Sequence, residues 1–272
     1  MSGTVNQLVI DNTGDKPIFV LAGTLVKGGK QDRQIAQDFV IPPGKSVPVD
    51  AFCVEHGRWT ADREGQNTNG NFEAQKVLAN IEVRSSAQYK NNQQEVWNKV
   101  AECNAAANKT PTTGTLLATI DDTDKDAVAR REKIRKAITD RFAAYKDKDD
   151  APLGLAYAVD GKLREIRSFA HPKIFGLYTE TLFNTVVLEG DLSQREALAK
   201  KQEIYTKPAD AAQAKDLVQA AESVKEDQVE TQGDNRNGYR KDGNVWNGNV
   251  YLKNADKDKP AAPISQSWQV SH

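Results

Sequence analysis

Residues 28–59 read GGKQDRQIAQDFVIPPGKSVPVDAFCVEHGRW, and the expected fold follows from this stretch. Its second half predicts a strand over 46–54, because alternate positions are apolar or small. The residues expected on the buried face of this strand are Val47, Val49, Ala51 and Cys53. PPGK at 42–45 predicts a turn that separates this strand from a shorter one at 38–41. The stretch therefore indicates antiparallel strands joined by short polar connections.

Further strands are predicted on both sides of this stretch, so residues 1–90 are expected to be rich in β-structure. Residues 4–11 and 17–26 are largely apolar and flank the turn signal NTGD, which predicts that they form a β-hairpin. Residues 76–84 predict another strand. The polar residues 60–75 have no hydrophobic period and predict a long exposed loop.

Helical periodicity dominates the later part of the chain. The predicted helices span 92–108, 123–146, 173–188, 193–204 and 208–224. Ser193 with Glu196 indicates a capping box at the start of the fourth helix, and Pro208 falls in the first turn of the fifth. The second helix carries a basic face, which is either solvated and balanced by nearby acids or a phosphate-binding patch. Its basic residues are Arg130, Arg131, Lys133, Arg135 and Lys136.

One hairpin interrupts the helices, since Asp160-Gly161 joins the apolar segments 153–160 and 162–168. We expect an α+β fold, with an antiparallel sheet or sandwich built from the first 85 residues and this hairpin and packed by several helices. Residues 1–224 are expected to form a single domain. Residues 225–272 are rich in Asn, Gly, Asp and Lys, and predict an irregular C-terminal extension with short strands at 244–252 and 265–270.

The composition argues against several classes of function. Lys plus Arg number 37 and Asp plus Glu number 38, so we expect no binding to nucleic acid. No apolar run reaches the roughly 20 residues that cross a bilayer, so we expect no membrane insertion. The start of the sequence shows no signal peptide, which predicts a soluble protein, either cytoplasmic or exported with its signal removed.

Cysteine and histidine are scarce. Cys53 and Cys103 do not form a disulfide framework, and we expect buried free thiols, with a disulfide between them as the alternative. The chain has only three histidines, which argues against a His-rich metal site. The sequence specifies no cofactor.

GGKQDR at 28–33 combines a glycine turn with four polar side chains. Lys30 and Arg33 are cationic donors for a phosphate or carboxylate, and Gln31 is an amide that reads polarity. Asp32 could orient Arg33, act as a base or hold a metal. The alternative is a β-turn with solvated charges, and the spacing is not that of a P-loop.

CVEHGRW at 53–59 sets charged residues among residues that we expect to be buried, Val54 and Trp59 included. Buried charges are costly unless paired, so an ion pair of Arg58 with Glu55 or Asp32 is one interpretation. The other is a functional carboxylate beside an arginine that binds an anionic group. On that interpretation Asp32 and Glu55 are the candidate general bases. The candidate ligand-binding residues are Lys30, Gln31, Arg33, His56, Arg58 and Trp59.

The segments VNQLVIDN, KPIFVLAG, GGKQDR and VPVDAFCVEHGRW together resemble the ARPP family, a prokaryotic family named for association with ADP-ribosylglycohydrolase (ARG) and rhodanese–phosphatase superfamily proteins. The residues that match its motifs are Asn12, Pro17, Gly23, 28–33 and 53–59. QEVW at 94–97 and residues 154–175 are also similar to the family, so the resemblance covers roughly 4–190. The chain starts without the family's usual N-terminal β segment, and residues 225–272 match only loosely.

The resemblance implies no established activity, although the family name points to ADP-ribose and phosphoryl chemistry. It favours the hypothesis that the two polar clusters form one site. The preferred function is a binding or accessory module for an anionic small molecule, such as a nucleotide or an ADP-ribose derivative. The alternatives are a hydrolase or transferase that uses Asp32 or Glu55 as general base, and a structural or interaction protein of the cell envelope.

Overall fold

The computed structural model describes residues 6–143, 145, 151–202, 211–253 and 262–271. These residues form antiparallel sheets and α-helices, which confirms the predicted α+β class. The strands are β1 Gln7–Asp11, β2 Ile18–Val20, β3 Thr24–Gly28, β4 Arg33–Ile35, β5 Phe39–Ile41, β6 Ser46–Cys53, β7 Asp62–Arg63, β8 Gln66–Asn67, β9 Phe72–Leu78, β10 Gly154–Val159, β11 Lys162–Phe169, β12 Asp227–Glu230, β13 Asn235–Asp242, β14 Val245–Leu252 and β15 Ser265–Val270. The helices are α1 Ile81–Gln88, α2 Gln93–Ala106, α3 Leu117–Ile120, α4 Lys125–Ala143, α5 Pro172–Ala199 and α6 Ala211–Glu222.

Two large sheets organise the described residues. The first has five strands in the order β1-β6-β4-β3-β9, and the second has six in the order β10-β11-β15-β14-β13-β12. β2 pairs with β5, and β7 pairs with β8, in two small ribbons. The predicted hairpin of β10 and β11 is confirmed, and both of its turn residues have positive φ, as the Asp-Gly turn requires. The hairpin lies in the second sheet, however, and not in the sheet formed by the first 85 residues.

The predicted hairpin of 4–11 with 17–26 is wrong, because these segments pair with different strands. β1 pairs with β6, and β2 pairs with β5. Gly23 interrupts the predicted second strand, since its φ of 85° turns the backbone and its N–H donates to the carbonyl of Ile35 at 2.7 Å. This turn carries the chain from the β2–β5 ribbon into β3 of the first sheet.

β6 has the buried face that its alternation predicts, because the four expected residues are 0–4% exposed. They are Val47, Val49, Ala51 and Cys53. The apolar residues of β6 pack against Leu8 and Ile10 of β1 and against Phe39 and Ile41 of β5. Burial of this apolar surface anchors the end of β6, where the CVEHGRW segment begins.

The predictions for 60–84 need two corrections. The expected loop contains the β7–β8 ribbon, whose turn residues Glu64 and Gly65 both have positive φ, and it also contains the start of β9. The expected strand at 76–84 ends at Leu78, and α1 follows. Helical periodicity is hidden in α1 because seven of its eight residues are buried, Arg84, Ser85 and Gln88 among them.

α2 confirms the helix predicted at 92–108, and Asn92 caps it by accepting a hydrogen bond from the backbone N–H of Glu95 at 3.0 Å. α4 confirms the helix predicted at 123–146 within the described residues. On its basic face, Arg130 and Arg131 donate to the two carboxylate oxygens of Asp191 at 2.9 and 2.8 Å. Lys136 pairs with Asp140 at 2.7 Å, so three of the five basic residues are paired with an acid.

Arg195 joins α5 to the α2–α4 connection through a second buried carboxylate. Asp122 accepts hydrogen bonds from Lys109 and Arg195, each at 2.7 Å. Burial alone would raise the pKa of Asp122, but these hydrogen bonds and one from the backbone of Asp124 lower it from 3.8 to about 2. The carboxylate therefore stabilises the fold in its ionised form.

α5 is one continuous helix where two were predicted. Ser193 lies inside it and donates to the Asp160 carboxylate at 2.6 Å, so the predicted capping box is wrong. The cap that forms is His171, whose Nδ1 accepts from the backbone N–H of Lys173 at 3.0 Å. Of the helix predicted at 208–224, α6 covers 211–222, and Pro208 lies outside the described residues.

The C-terminal residues supply four of the six strands of the second sheet. The predicted strands at 244–252 and 265–270 are confirmed as β14 and β15. β15 pairs with β11 near the middle of the sheet, so the C-terminal residues form an integral part of it. β12 and β13 were missed because their residues do not alternate in hydrophobicity. Within the described residues, no helix is long and apolar enough to span a membrane.

Candidate functional site

The two polar clusters meet, as the resemblance led us to expect. β4 pairs antiparallel with β6 and Arg33 lies opposite Cys53, so the residues before β4 and after β6 lie at one edge of the first sheet. The Asp32 N–H donates to Glu55 Oε2, and Gln31 Nε2 donates to the Glu55 carbonyl, both at 2.9 Å. The two clusters therefore form a single hydrogen-bonded unit.

Arg58 is the centre of this unit and is only 6% exposed. Its Nε and Nη2 form a fork with the Glu55 carboxylate, with Nη2 at 2.7 Å from Oε2. The remaining N–H groups donate to the carbonyls of Gly28, Gly29 and Thr60 at 2.8–3.0 Å. All five N–H groups of the guanidinium are thus used within the protein.

Asp32 is 1% exposed and accepts hydrogen bonds from three directions. These come from the Gly28 N–H at 3.0 Å, the Thr115 hydroxyl at 2.7 Å and Arg63 Nη1 at 2.5 Å. Although burial alone lowers the pKa of Arg63, the hydrogen bond and charge of Asp32 raise it above its usual value. Thr115 was missed because it lies far from both motifs in the sequence, and Arg63 because it falls in the segment 60–75, which was predicted to be an exposed loop.

Two carboxylates and two guanidiniums balance in charge in this buried unit, which we call the Arg58 network: Asp32, Glu55, Arg58 and Arg63. A buried ion pair needs such complete hydrogen bonding to offset the loss of hydration. The ion pairs of Arg58 with Glu55 and Asp32 that the sequence suggested are both present, at 2.7 and 3.5 Å. The geometry thus accounts for charged residues within a buried motif.

The cysteines are free and buried, as predicted. The Cys53 thiol lies 3.0 Å from Gln31 Oε1 as a hydrogen-bond donor, and Gln93 bonds both the N–H and the carbonyl of Cys53. Burial raises the pKa of the Cys53 thiol. The thiol is therefore a structural donor to the network and a poor nucleophile.

The remaining predicted site residues lie around the Arg58 network. Lys30, His56 and Trp59 are exposed and Arg33 is half-buried. Trp59 is 54% exposed, so the prediction that it is buried is wrong. Arg58 turns inward to reach Glu55, which leaves the following residue facing solvent. The His56 ring meets the ring of Trp97 edge-on, with centroids 4.5 Å apart.

A second buried polar group, between α1 and the second sheet, was not predicted. Glu165 accepts from Arg84 at 2.8 Å and from Arg167 at 3.0 Å. Burial would raise the pKa of Glu165, but the two arginines lower it, whereas burial raises the pKa of nearby Asp38. Arg84 Nε and Gln88 have no hydrogen-bond partner among the described residues. Glu165 and Arg167 alternate with Ile166 in β11, which is the sequence signal that could have located them.

No cluster of three or more His, Cys, Asp or Glu side chains suited to a metal ion occurs in the described part of the chain. The model of the family called ARG and Rhodanese-Phosphatase-superfamily-associated Protein domain, ARPP-1, matches residues 1–258, and the chain belongs to this family. The match covers the Arg58 network, the first sheet and every strand of the second sheet except β15. No curated protein and no solved structure matches the chain.

Proposed function

We propose that the protein is an accessory binding module for an anionic small molecule, such as a nucleotide or an ADP-ribose derivative. The binding surface comprises Lys30, Arg33, His56 and Trp59, and the Arg58 network fixes its shape from below. The family name states an association with ARG and rhodanese–phosphatase superfamily proteins, which agrees with an accessory role.

The observation that carries this proposal is the contrast between the saturated network and its exposed neighbours. Asp32 and Glu55 accept several hydrogen bonds each, so neither is free to take a proton from a substrate or water as a general base. Arg58 donates a hydrogen bond to the carbonyl of Gly29. Lys30 follows Gly29 in the chain and Trp59 follows Arg58, so this bond links the backbone next to both exposed side chains. A cation and an aromatic ring held by one hydrogen bond suit a phosphate and a stacked base.

Calorimetric titration with ADP-ribose and with ADP tests the proposal. Trp59→Ala should weaken binding by roughly 5- to 150-fold, because base–aromatic stacking contributes about 1–3 kcal/mol. Lys30→Ala should weaken it less and reduce its dependence on salt. Lys45→Ala is the control, since this exposed lysine lies in the 42–45 turn, away from both clusters.

The other two functions predict different results in the same experiment. A hydrolase or transferase would consume ADP-ribose, and Glu55→Gln would abolish turnover while sparing binding. A structural or interaction protein would bind neither ligand, and the titrations of all variants would be flat. Flat titrations of the unmodified protein up to millimolar ligand would refute the binding module.

A further inference from the structure

A cleft of about 450 Å³ lies between α1, α2, α5 and the β10–β11 hairpin, and it shares no residue with the Arg58 network. Its volume is within the range of small-molecule sites. Its lining includes three apolar residues, Ala106, Val159 and Leu192, and two buried polar ones, Asn80 and Glu189.

Glu189 projects from α5 and is 6% exposed. Its Oε1 accepts from the backbone N–H of Ile81, the first residue of α1, at 2.6 Å. Its Oε2 makes no hydrogen bond to any residue that the structure describes, and the side chain lines the cleft. Burial raises the pKa of Glu189 and outweighs the charge of Arg164 and the hydrogen bond from the Ile81 N–H, which lower it.

Asn80 is a second acceptor without a donor. It occupies the N-cap position of α1, where asparagine ordinarily accepts from a backbone N–H, but here it makes no such bond. Glu189 performs the capping role instead, at the very next residue. Asn80 is 6% exposed, and its Oδ1 is buried without a hydrogen-bond partner among the described residues. Asn80 also lines the cleft, and an unpaired buried acceptor of this kind calls for an explanation such as a bound water, ion or ligand.

The charges that line the cleft indicate whether a bound donor is neutral or cationic. Five lining residues are acidic and three are basic, which gives a formal charge of −2. Two of the basic residues are already paired, Lys99 with Glu102 at 2.8 Å and Arg164 with Glu82 at 2.9 Å. The third, Lys162, is exposed and has no ion pair within the described part of the chain. Of the acids, Glu196 is paired with Lys200, which does not line the cleft, whereas Glu189 has no ion pair among the residues that the structure describes. Glu189 is therefore the carboxylate that a cationic donor would pair with.

We propose that this cleft binds a small organic cation, an alkyl amine, whose ammonium group donates to Glu189 Oε2 beside Asn80. Its methylene groups lie against the apolar lining residues of the cleft. This proposal is independent of the function proposed for the Arg58 network, since the two sites share no residue.

The test is calorimetric titration with three four-carbon probes that differ in charge: 1,4-diaminobutane, 1,4-butanediol and succinate. The diamine should bind and the other two should not. Glu189→Gln should weaken diamine binding about tenfold or more, because a charge-assisted hydrogen bond is lost. The glutamine retains an oxygen for the Ile81 N–H, so α1 should remain capped. Glu180→Gln, the same change at an exposed site on α5, is the matched control and should have no effect.

Lys162→Glu keeps the proposal testable if Glu189→Gln fails to fold, because Lys162 is exposed on β11. This variant adds negative charge at the cleft and should tighten diamine binding severalfold at low salt. Absence of diamine binding at millimolar concentration would overturn the proposal. So would binding of succinate in preference to the diamine, or a diamine affinity that neither the Glu189 nor the Lys162 variant changes.

Discussion

Removal of the Arg58 side chain is the most direct test of the physical account of the network. Arg58→Ala leaves the buried Glu55 carboxylate without its forked partner and removes one donor from each of the carbonyls of Gly28 and Gly29. Removing one partner of a buried ion pair costs about 3–5 kcal/mol. We expect a loss of about 3 kcal/mol, at the low end, because Arg63 Nη1 lies 3.9 Å from Glu55 Oε2 and supplies some compensating charge.

Urea denaturation followed by circular dichroism measures this loss. A domain is stable by about 5–15 kcal/mol, so the midpoint should move well outside experimental error. Arg58→Lys should fall between the two proteins, since an ammonium cannot reproduce the planar fork. Lys30→Ala is the control and should change stability by less than about 0.5 kcal/mol, because Lys30 is exposed. If Arg58→Ala lost no more stability than Lys30→Ala, the network would not be the structural centre that we describe.

Three further predictions follow from positions described by the structure. Gly28→Ala should destabilise the protein by roughly 1–3 kcal/mol, because the φ of Gly28 is 135° and a Cβ would meet a backbone carbonyl. Gly176→Ala should stabilise it by about 0.5–1 kcal/mol, because a Cβ at this position on α5 meets open space. Equal effects of the two variants in thermal unfolding would contradict this prediction. Asp122→Asn should lower stability by roughly 2 kcal/mol at pH 7. The variant should have little effect near pH 2. The pKa of Asp122 is about 2 in the folded protein against 3.8 for the ordinary group, so its ionised carboxylate contributes stability that is lost as pH falls through this window. A loss of stability that does not depend on pH would refute this account of Asp122. Cys53 and Cys103 should react with a thiol reagent only after unfolding, and rapid labelling of the native protein would show that they are accessible.

Local patterns were sufficient for part of the fold. The alternation in β6, the spacing of α2 and the Asp160-Gly161 turn each depend on neighbouring residues, and all three predictions are confirmed. The hairpin over 4–26 failed because pairing is decided by distant strands, with Gly23 redirecting the chain. The strand predicted at 76–84 was wrong over α1 because this helix buries the polar Arg84, Ser85 and Gln88 together with its apolar residues, so its sequence does not separate a polar face from an apolar one.

The sequence also predicted part of the candidate site but not all of its residues. Charges within an apolar motif indicated that Glu55 and Arg58 need partners, and a shared sheet edge indicated that Asp32 was near. Thr115 and Arg63 could not be found in this way, because they reach Asp32 only through tertiary packing. Trp59 was misplaced because apolar character was taken as burial, although the inward turn of Arg58 reverses the direction of its neighbour. Exposed aromatic residues of this kind are common binding contacts.

The position of β15 has a consequence for how the molecule is completed. β11 ends at Phe169, and its partner β15 begins at Ser265, so about 95 residues of chain separate two hydrogen-bonded neighbours. The edge of β11 in the β10–β11 hairpin therefore stays unpaired during folding until β15 pairs with it. An unpaired edge is open to strands of other molecules during that interval. A chain shortened before Ser265 would separate the second sheet into two fragments, and we expect it to aggregate.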